Sequence, residues 1–429
     1  MIPSLGKINK TNPDIFAREG CLHFQMGYRN SVPKIKNIQD LHILFYKDRN
    51  ETCAAIGETK PELSQLPTSI ESFFKIADNS GLTSFYLGKP LPLEPVTIEK
   101  PWGKEIWFSA IEERGVSKAG GVPINFLVDI FGDQMGCSHP PILLKILAPN
   151  PQPGLGELYF ELHEKKTEVY IVTEVNKTSW PEGKGGIRMG FDKAKISEFE
   201  SQEKFLEEYS SSVESYRECR NIIDSKIDEI KNTMGFGKDQ ILNPTAYQAL
   251  LSKLDQSLIQ KEKTLREQMN EYTKLHEIGI GDSIKGKPLV PHSLQHGVRV
   301  VEFQTPHYER YILSFGQKVV TQDHWDTREG LKKAKIQSVE IEEPKRIDKY
   351  QDILAEFDEF KVVRISLPAG GSYEIKPDSY CLIMGISGTT EFKGYSICTE
   401  DAFFVPTDNL LTFTNSGDRE SCFLIAEES

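Results

Sequence analysis

The sequence predicts a mainly β protein: two jelly-roll-type β-domains, the first interrupted by an α-helical hairpin, with an extra α+β segment at the N-terminus. Three observations carry that expectation. Between Lys100 and Val175 short strand-like runs are broken by Gly and Pro. Between about Lys195 and Ile278 apolar residues recur at helical steps. Between Val362 and Ala426 short β-like runs return at close spacing. These changes of texture divide the chain into an N-terminal module of unassigned role over 1–95, a first β-domain over 96–194 and 279–330, a helical insertion over 195–278, a connection over 331–360 and a C-terminal β-domain over 361–429.

The N-terminal module holds an apolar run, Leu41-His-Ile-Leu-Phe-Tyr46, and a helix-like stretch, Ser69-Ile-Glu-Ser-Phe-Phe-Lys-Ile-Ala77. The first β-domain follows with Glu105–Ser109, Ile124–Ile130, Ile142–Leu147, Leu158–His163 and Lys166–Val172, all read as strands of an antiparallel sheet. In the insertion Phe205, Tyr209, Val213, Tyr216, Ile223, Ile227 and Ile230 form one apolar stripe, and Leu250, Leu254, Leu258, Leu265, Met269 and Tyr272 a second after Asn243-Pro244. An apolar stripe at steps of three and four is ordinarily a helix face turned to a core, so the pair reads as a packed helical hairpin. The chain then returns to β texture: Val298–Gln304 alternates, placing Val298, Val300, Glu302 and Gln304 on one face, and Tyr308–Phe315 and Gln317–Thr321 read as further strands. The Lys/Glu-rich connection reads as a solvated linker or short helix. The C-terminal runs Val362–Leu367, Ser372–Ile375, Ser379–Met384, Gly388–Phe392, Asp401–Pro406 and Cys422–Ala426 complete a second sandwich or jelly roll.

Composition narrows the functional class. A chain of 429 residues with 38% hydrophobic and 27% charged residues buries a sizeable core. A formal charge of -12 argues against a nucleic-acid or anionic-membrane binder, because phosphate backbones need clustered cations. The seven cysteines include no CxxC pair, so neither a disulfide framework nor a cysteine zinc site is expected. No apolar run approaches the roughly 18 residues that span a bilayer, and the first residues lack a signal-peptide core. The expectation is a cytoplasmic protein with reduced thiols, with no nucleic-acid or membrane partner.

The chemistry concentrates in Leu158-Tyr-Phe-Glu-Leu-His163, with Glu168 five residues on, and in Val290-Pro-His-Ser-Leu-Gln-His-Gly297. Strand alternation turns Glu161 and His163 to one face and Phe160 and Leu162 to the other, the pattern of a metal site assembled from neighbouring strands. The C-terminal domain has no histidine after His324, so a structural role is expected for it.

These motifs resemble the class I, zinc-dependent, cupin-type mannose-6-phosphate isomerases. Lys100-Pro-Trp-Gly103 is similar to the family's early KPWG. Glu161-Leu-His163 stands where the family has Gln-x-His, and Lys166-Thr-Glu168 is like its GKTE. His292-Ser-Leu-Gln-His-Gly297 with Val301-Glu-Phe-Gln304 resembles its His-Ala-Ile-x-x-Gly and Leu-Glu-Ile-Gln, and Arg310 in Tyr308-Glu-Arg-Tyr311 the arginine of its Thr-Tyr-Arg. The resemblance covers about 100–428 and leaves the first ~95 residues outside it.

It implies two cupin-type domains and an aldose-ketose isomerase acting on a small-molecule sugar phosphate, mannose 6-phosphate to fructose 6-phosphate, through an enediol(ate). The implied metal ligands are Glu161, His163, Glu168 and His292, holding one zinc ion, with manganese or iron as alternatives because Glu161 adds a negative charge. The implied catalytic groups are Glu302 as proton-transfer base, Lys166 as acid/base or charge partner, and Arg310 stabilising the enediolate or gripping phosphate. Trp102 and Lys145, with Arg310, are the implied substrate contacts. The rival readings are a non-catalytic cupin that binds a sugar or sugar phosphate at a retained metal site, and a cupin enzyme of other chemistry.

Overall fold

The computed structural model describes residues 19–28, 39–49, 51–63, 66–112, 115–137, 141–237, 239–320, 322 and 324–429. The N-terminal residues read for a signal sequence, and Thr321, lie outside these. The chain is mainly β and divides into two compact units, one of residues 1–96, 107–144 and 345–429, the other of residues 97–106 and 145–344.

In the first unit the strands Gly20–Tyr28, Gln39–Lys47, Thr52–Gly57 and Thr83–Tyr86 form an antiparallel sheet in that order. The helix Ile70–Asn79 starts at Ser69, whose hydroxyl accepts from Ser72 N, and buries Phe73 and Ala77 against Leu44, Tyr46, Cys53 and Ala55. A nine-stranded sheet runs in the order 122–123, 118–119, 91–94, 402–405, 381–387, 421–428, 360–367, 351–356 and 345–346. The strands Ser372–Ile375, Leu411–Thr414, Thr390–Phe392 and Tyr395–Ile397 make a smaller sheet. Val363, Ile365, Ile383, Phe403, Phe423 and Ile425 from the large sheet and Phe392, Ile397, Leu411 and Phe413 from the small one share a single apolar core. Part of the 331–360 stretch is therefore strand, at Lys345–Arg346 and Gln351–Glu356.

One expected strand of this unit is a helix. Ile124–Met135 buries Ile124, Leu127, Ile130, Phe131 and Met135, a helical repeat, and ends at Gly136 in the left-handed region (φ 72°). A short run of largely apolar residues fits a buried strand and a buried helix equally, so periodicity alone misassigned it.

In the second unit six strands pair in the order Ser283–Gly286, Glu168–Val175, Val298–Gln304, Leu143–Pro149, Gly103–Trp107 and Val96–Lys100. Five more pair in the order Thr273–Ile278, Gly185–Phe191, His292–Leu294, Phe160–Leu162 and Tyr311–Ser314. Both sheets supply the same core, including Leu162, Tyr170, Val172, Ile187, Val300 and Ile312.

The insertion is helical over Gln202–Thr233, Pro244–Leu251 and Gln256–Asn270, each capped as its sequence dictates by Ser201, Asn243 and Asp255. Phe205, Tyr209, Val213 and Tyr216 extend the main core, while Cys219, Ile223, Ile227, Leu250 and Leu254 pack the helices on one another. Tyr216 donates a buried hydrogen bond to Glu262 across the hairpin at 2.9 Å. Two expectations are corrected here. Residues 273–278 close the insertion as a strand, because they pair with Gly185–Phe191; the described residues of 317–321 form no strand, and Lys318 instead bonds Asp228 at 2.7 Å and Asp239 at 3.0 Å. No described helix is long and apolar enough to cross a membrane.

Candidate metal centre and active site

The six-stranded sheet delivers its functional side chains through one register. Glu168 lies opposite Gln304 and Tyr170 opposite Glu302. Because residues two apart share a face, all four belong to one side of the sheet. The neighbouring strand adds Lys145, whose Nζ lies 3.1 Å from Glu302 Oε2. From the five-stranded sheet come Glu161 and His292, directly paired, and His163 just beyond the end of the Phe160–Leu162 strand.

His163 Nε2, Glu168 and His292 Nε2 converge, with one ligating atom from each within 4.8 Å of the others. Glu168 Oε1 lies 2.7 Å from His292 Nε2 and 3.8 Å from His163 Nε2. The Nδ1 of each histidine faces a backbone carbonyl, Glu309 O at 2.6 Å for His163 and Val290 O at 3.0 Å for His292. A carbonyl can only accept, so each Nδ1 carries a proton; His163 Nε2 is left to present its lone pair inwards, whereas His292 Nε2 donates to the Glu168 carboxylate, which, against the effect of burial, raises the pKa of His292. His163 Nε2 is buried with no hydrogen-bond partner. Two outward-anchored imidazoles and a buried carboxylate around a common point are a donor set that fits a divalent ion of the zinc type, and the anchoring carbonyls are the supports such ligands use.

Opposite Glu168 in the strand register stands Gly286, and the reason is steric: a Cβ at that position would lie 2.5 Å from Glu168 Cγ. The carboxylate occupies the space that any side chain there would fill.

Electrostatics tie the remaining residues together. Burial raises the Glu302 carboxyl to about 8; Lys145 and Lys166 oppose this, and the neighbouring Glu168 reinforces it. Burial alone would also raise Glu168, but Lys166, 2.6 Å from Oε2, and the two histidines hold it well below the ordinary carboxylate value. Burial, then Lys166, lowers His163 to about 4, which keeps the ring neutral and able to ligate. Burial works against the Lys145 charge, yet Glu302, Glu105 and Glu168 raise its pKa. Burial likewise opposes charge on Glu161, and Arg310 and His163 lower its pKa.

The structure thus brings His163, Glu168, His292, Lys145, Lys166 and Glu302 into one buried cluster. Glu161 stands at its margin, with Oε1 3.9 Å from His163 Nε2 and Oε2 3.6 Å from Arg310 Nη1; it is not one of the three residues whose ligating atoms converge. Arg310 lies over the Tyr159 ring, 4.7 Å from its centroid. Trp102 is 1% exposed and belongs to the hydrophobic core, which corrects its expected role as a substrate contact: a ring that stacks on a sugar needs an open face. Sequence reasoning did not single out Tyr170, although its position two residues beyond Glu168 was the available signal. Glu309 gave none, because it acts through its backbone carbonyl on His163 and through Oε1, which accepts from Lys165 N at 2.7 Å and Lys166 N at 3.2 Å.

No protein-family model matches the chain, and no curated protein matches its sequence. Solved structures do match its fold. A mannose 6-phosphate isomerase from Bacillus subtilis aligns with a TM-score of 0.51 at 13% identity, covering 79% of this chain and 99% of its own. A variant of the phosphomannose isomerase from Salmonella typhimurium aligns at 0.57 and 11% identity, covering 80% of this chain and 100% of its own. A mannose 6-phosphate isomerase bound with zinc and yttrium aligns at 0.54 and 11%, with the same coverages. The fold is of the class seen in these isomerases. At such identities the likeness concerns the fold.

Proposed function

We propose that this protein is a metal-dependent aldose-ketose isomerase of hexose phosphates, interconverting mannose 6-phosphate and fructose 6-phosphate through an enediol(ate), on two cupin-type jelly-roll domains. The observation that carries the reading is the convergence of His163 Nε2, Glu168 and His292 Nε2 beside a second buried carboxylate, Glu302, held between two lysines.

Isomerisation moves a proton between adjacent carbons and builds charge on the oxygens they bear. His163, Glu168 and His292 would hold a divalent ion, and the chemistry it would supply is Lewis-acid polarisation of those oxygens. Glu302 is the proton carrier of the reading: a carboxyl raised to about 8 exchanges its proton near neutrality, where a general acid/base is most effective. Lys145, 3.1 Å away, and Lys166, 3.9 Å away, supply the positive charge that steadies its ionised form. Arg310 holds the anionic end of the sugar.

Elemental analysis of the purified protein, paired with a coupled assay for fructose 6-phosphate, tests the proposal. Bound metal with turnover of mannose 6-phosphate is expected. Bound metal with binding but no turnover of any hexose phosphate would replace it with the non-catalytic sugar-phosphate binder.

A further inference from the structure

Lys145 and Lys166 face Glu302 and Glu168, and the convergent donors use His163, Glu168 and His292. That leaves Glu161, the neighbour of Arg310, without an assigned task. The two side chains are 17% and 24% exposed, and their charged atoms approach to 3.6 Å. Glu161 Oε2 is buried and makes no hydrogen bond, so the contact is coulombic rather than the bidentate fork in which a guanidinium grips a carboxylate most firmly. Such a contact, largely removed from water, is strong enough to compete with an incoming anion and loose enough to yield to one. Of the acidic groups acting on Arg310, Glu161 has the largest effect, ahead of Glu105 and Asp326, so the guanidinium responds most to removal of the Glu161 charge.

We propose that Glu161 is the internal counter-ion of Arg310 and sets how strongly the site holds the anionic group of its substrate, a phosphate monoester displacing the carboxylate from the guanidinium. For the class of ligand this rests on the hexose-phosphate reading above. Glu161 is a specificity-determining residue in this arrangement: it makes the site discriminate against weakly charged anions that a bare arginine would retain.

The test is calorimetric titration of the full-length, zinc-loaded protein with inorganic phosphate and with fructose 6-phosphate, accompanied by metal analysis. Glu161→Gln is expected to tighten inorganic phosphate binding roughly tenfold with metal stoichiometry unchanged, and Arg310→Met in the Glu161→Gln background to abolish the gain. Glu161→Asp, which withdraws the carboxylate by one methylene, is expected to shift affinity in the same direction by less, and decides the matter by itself if Glu161→Gln does not fold. Phosphate affinity that is unchanged or weaker overturns the proposal, as does loss of metal in Glu161→Gln, which would make Glu161 a ligand. Failure of the hexose-phosphate reading is distinct: fructose 6-phosphate would then bind no more tightly than inorganic phosphate in any of these proteins, while phosphate itself still responded to Glu161.

Discussion

Glu168 Oε1 and His292 Nε2 meet at 2.7 Å, although the two residues belong to different sheets and are separated by the whole helical insertion. Each is anchored on its far side. Glu168 is held by Lys166, and the His292 ring by the Val290 carbonyl, so both ligating atoms are oriented before anything binds between them.

Replacing either imidazole removes one of three convergent donors. His163→Ala and His292→Ala are each expected to lower bound metal from about one ion per chain to a small fraction of that, since a zinc site depends on its full set of ligands. Inductively coupled plasma mass spectrometry on dialysed protein, with circular dichroism as the control for folding, reads this out. Full metal content in both variants would displace the site from this cluster.

Gly286→Ala acts without replacing a ligand. The new methyl would meet Glu168 Cγ at 2.5 Å and push the carboxylate away from His292. The expected result is a loss of metal affinity of roughly 10–100-fold, of the order seen when ligand supports are disturbed, measured by competition with a chromogenic chelator. Unchanged affinity would mean that Glu168 is not held where the donors converge.

Glu302→Gln keeps the size of the side chain and removes its exchangeable proton. Turnover is expected to fall by about 10²–10⁴, the usual share of a general acid/base, with bound metal retained. Retained turnover would exclude Glu302 as the proton carrier, and lost metal would place it among the ligands.

Glu342 offers a pH signature remote from the site. Hydrogen bonds from Lys285 at 2.5 Å and Lys287 at 2.8 Å lower its carboxyl from 4.5 to about 2. A group depressed in the folded state contributes stability that is complete above its unfolded value and is lost as pH falls through its folded value. The stability difference between the parent and Glu342→Gln is therefore expected to be constant above pH 4.5 and to vanish by about pH 2. Chemical denaturation at a series of pH values measures it; a difference independent of pH across that window would show that the clamp contributes nothing.

Much of this was legible locally. Alternation alone turns Glu161 and His163 to one face and Glu302 and Gln304 to one face, and the stripe from Phe205 to Ile227 specifies the long helix, because both patterns repeat within a few residues of chain. Ile124–Ile130 shows where that reasoning stops: an apolar run this short has no clear period to read, and only its burial at steps of three and four, with the turn at Gly136, made it a helix.

The sequence by itself determined which residue types were available for metal and proton chemistry and on which face of its own strand each stands. The tertiary structure decided their partners. Strand register set Glu168 against Gln304 and Gly286, and Glu161 against His292. Packing drew Glu161 towards Arg310, left three donors convergent rather than four, and sealed Trp102 into the core. The physical reason is range: side-chain direction follows from the dihedral angles of one strand, whereas contacts between residues far apart in the chain depend on register and sheet packing, which no local period encodes.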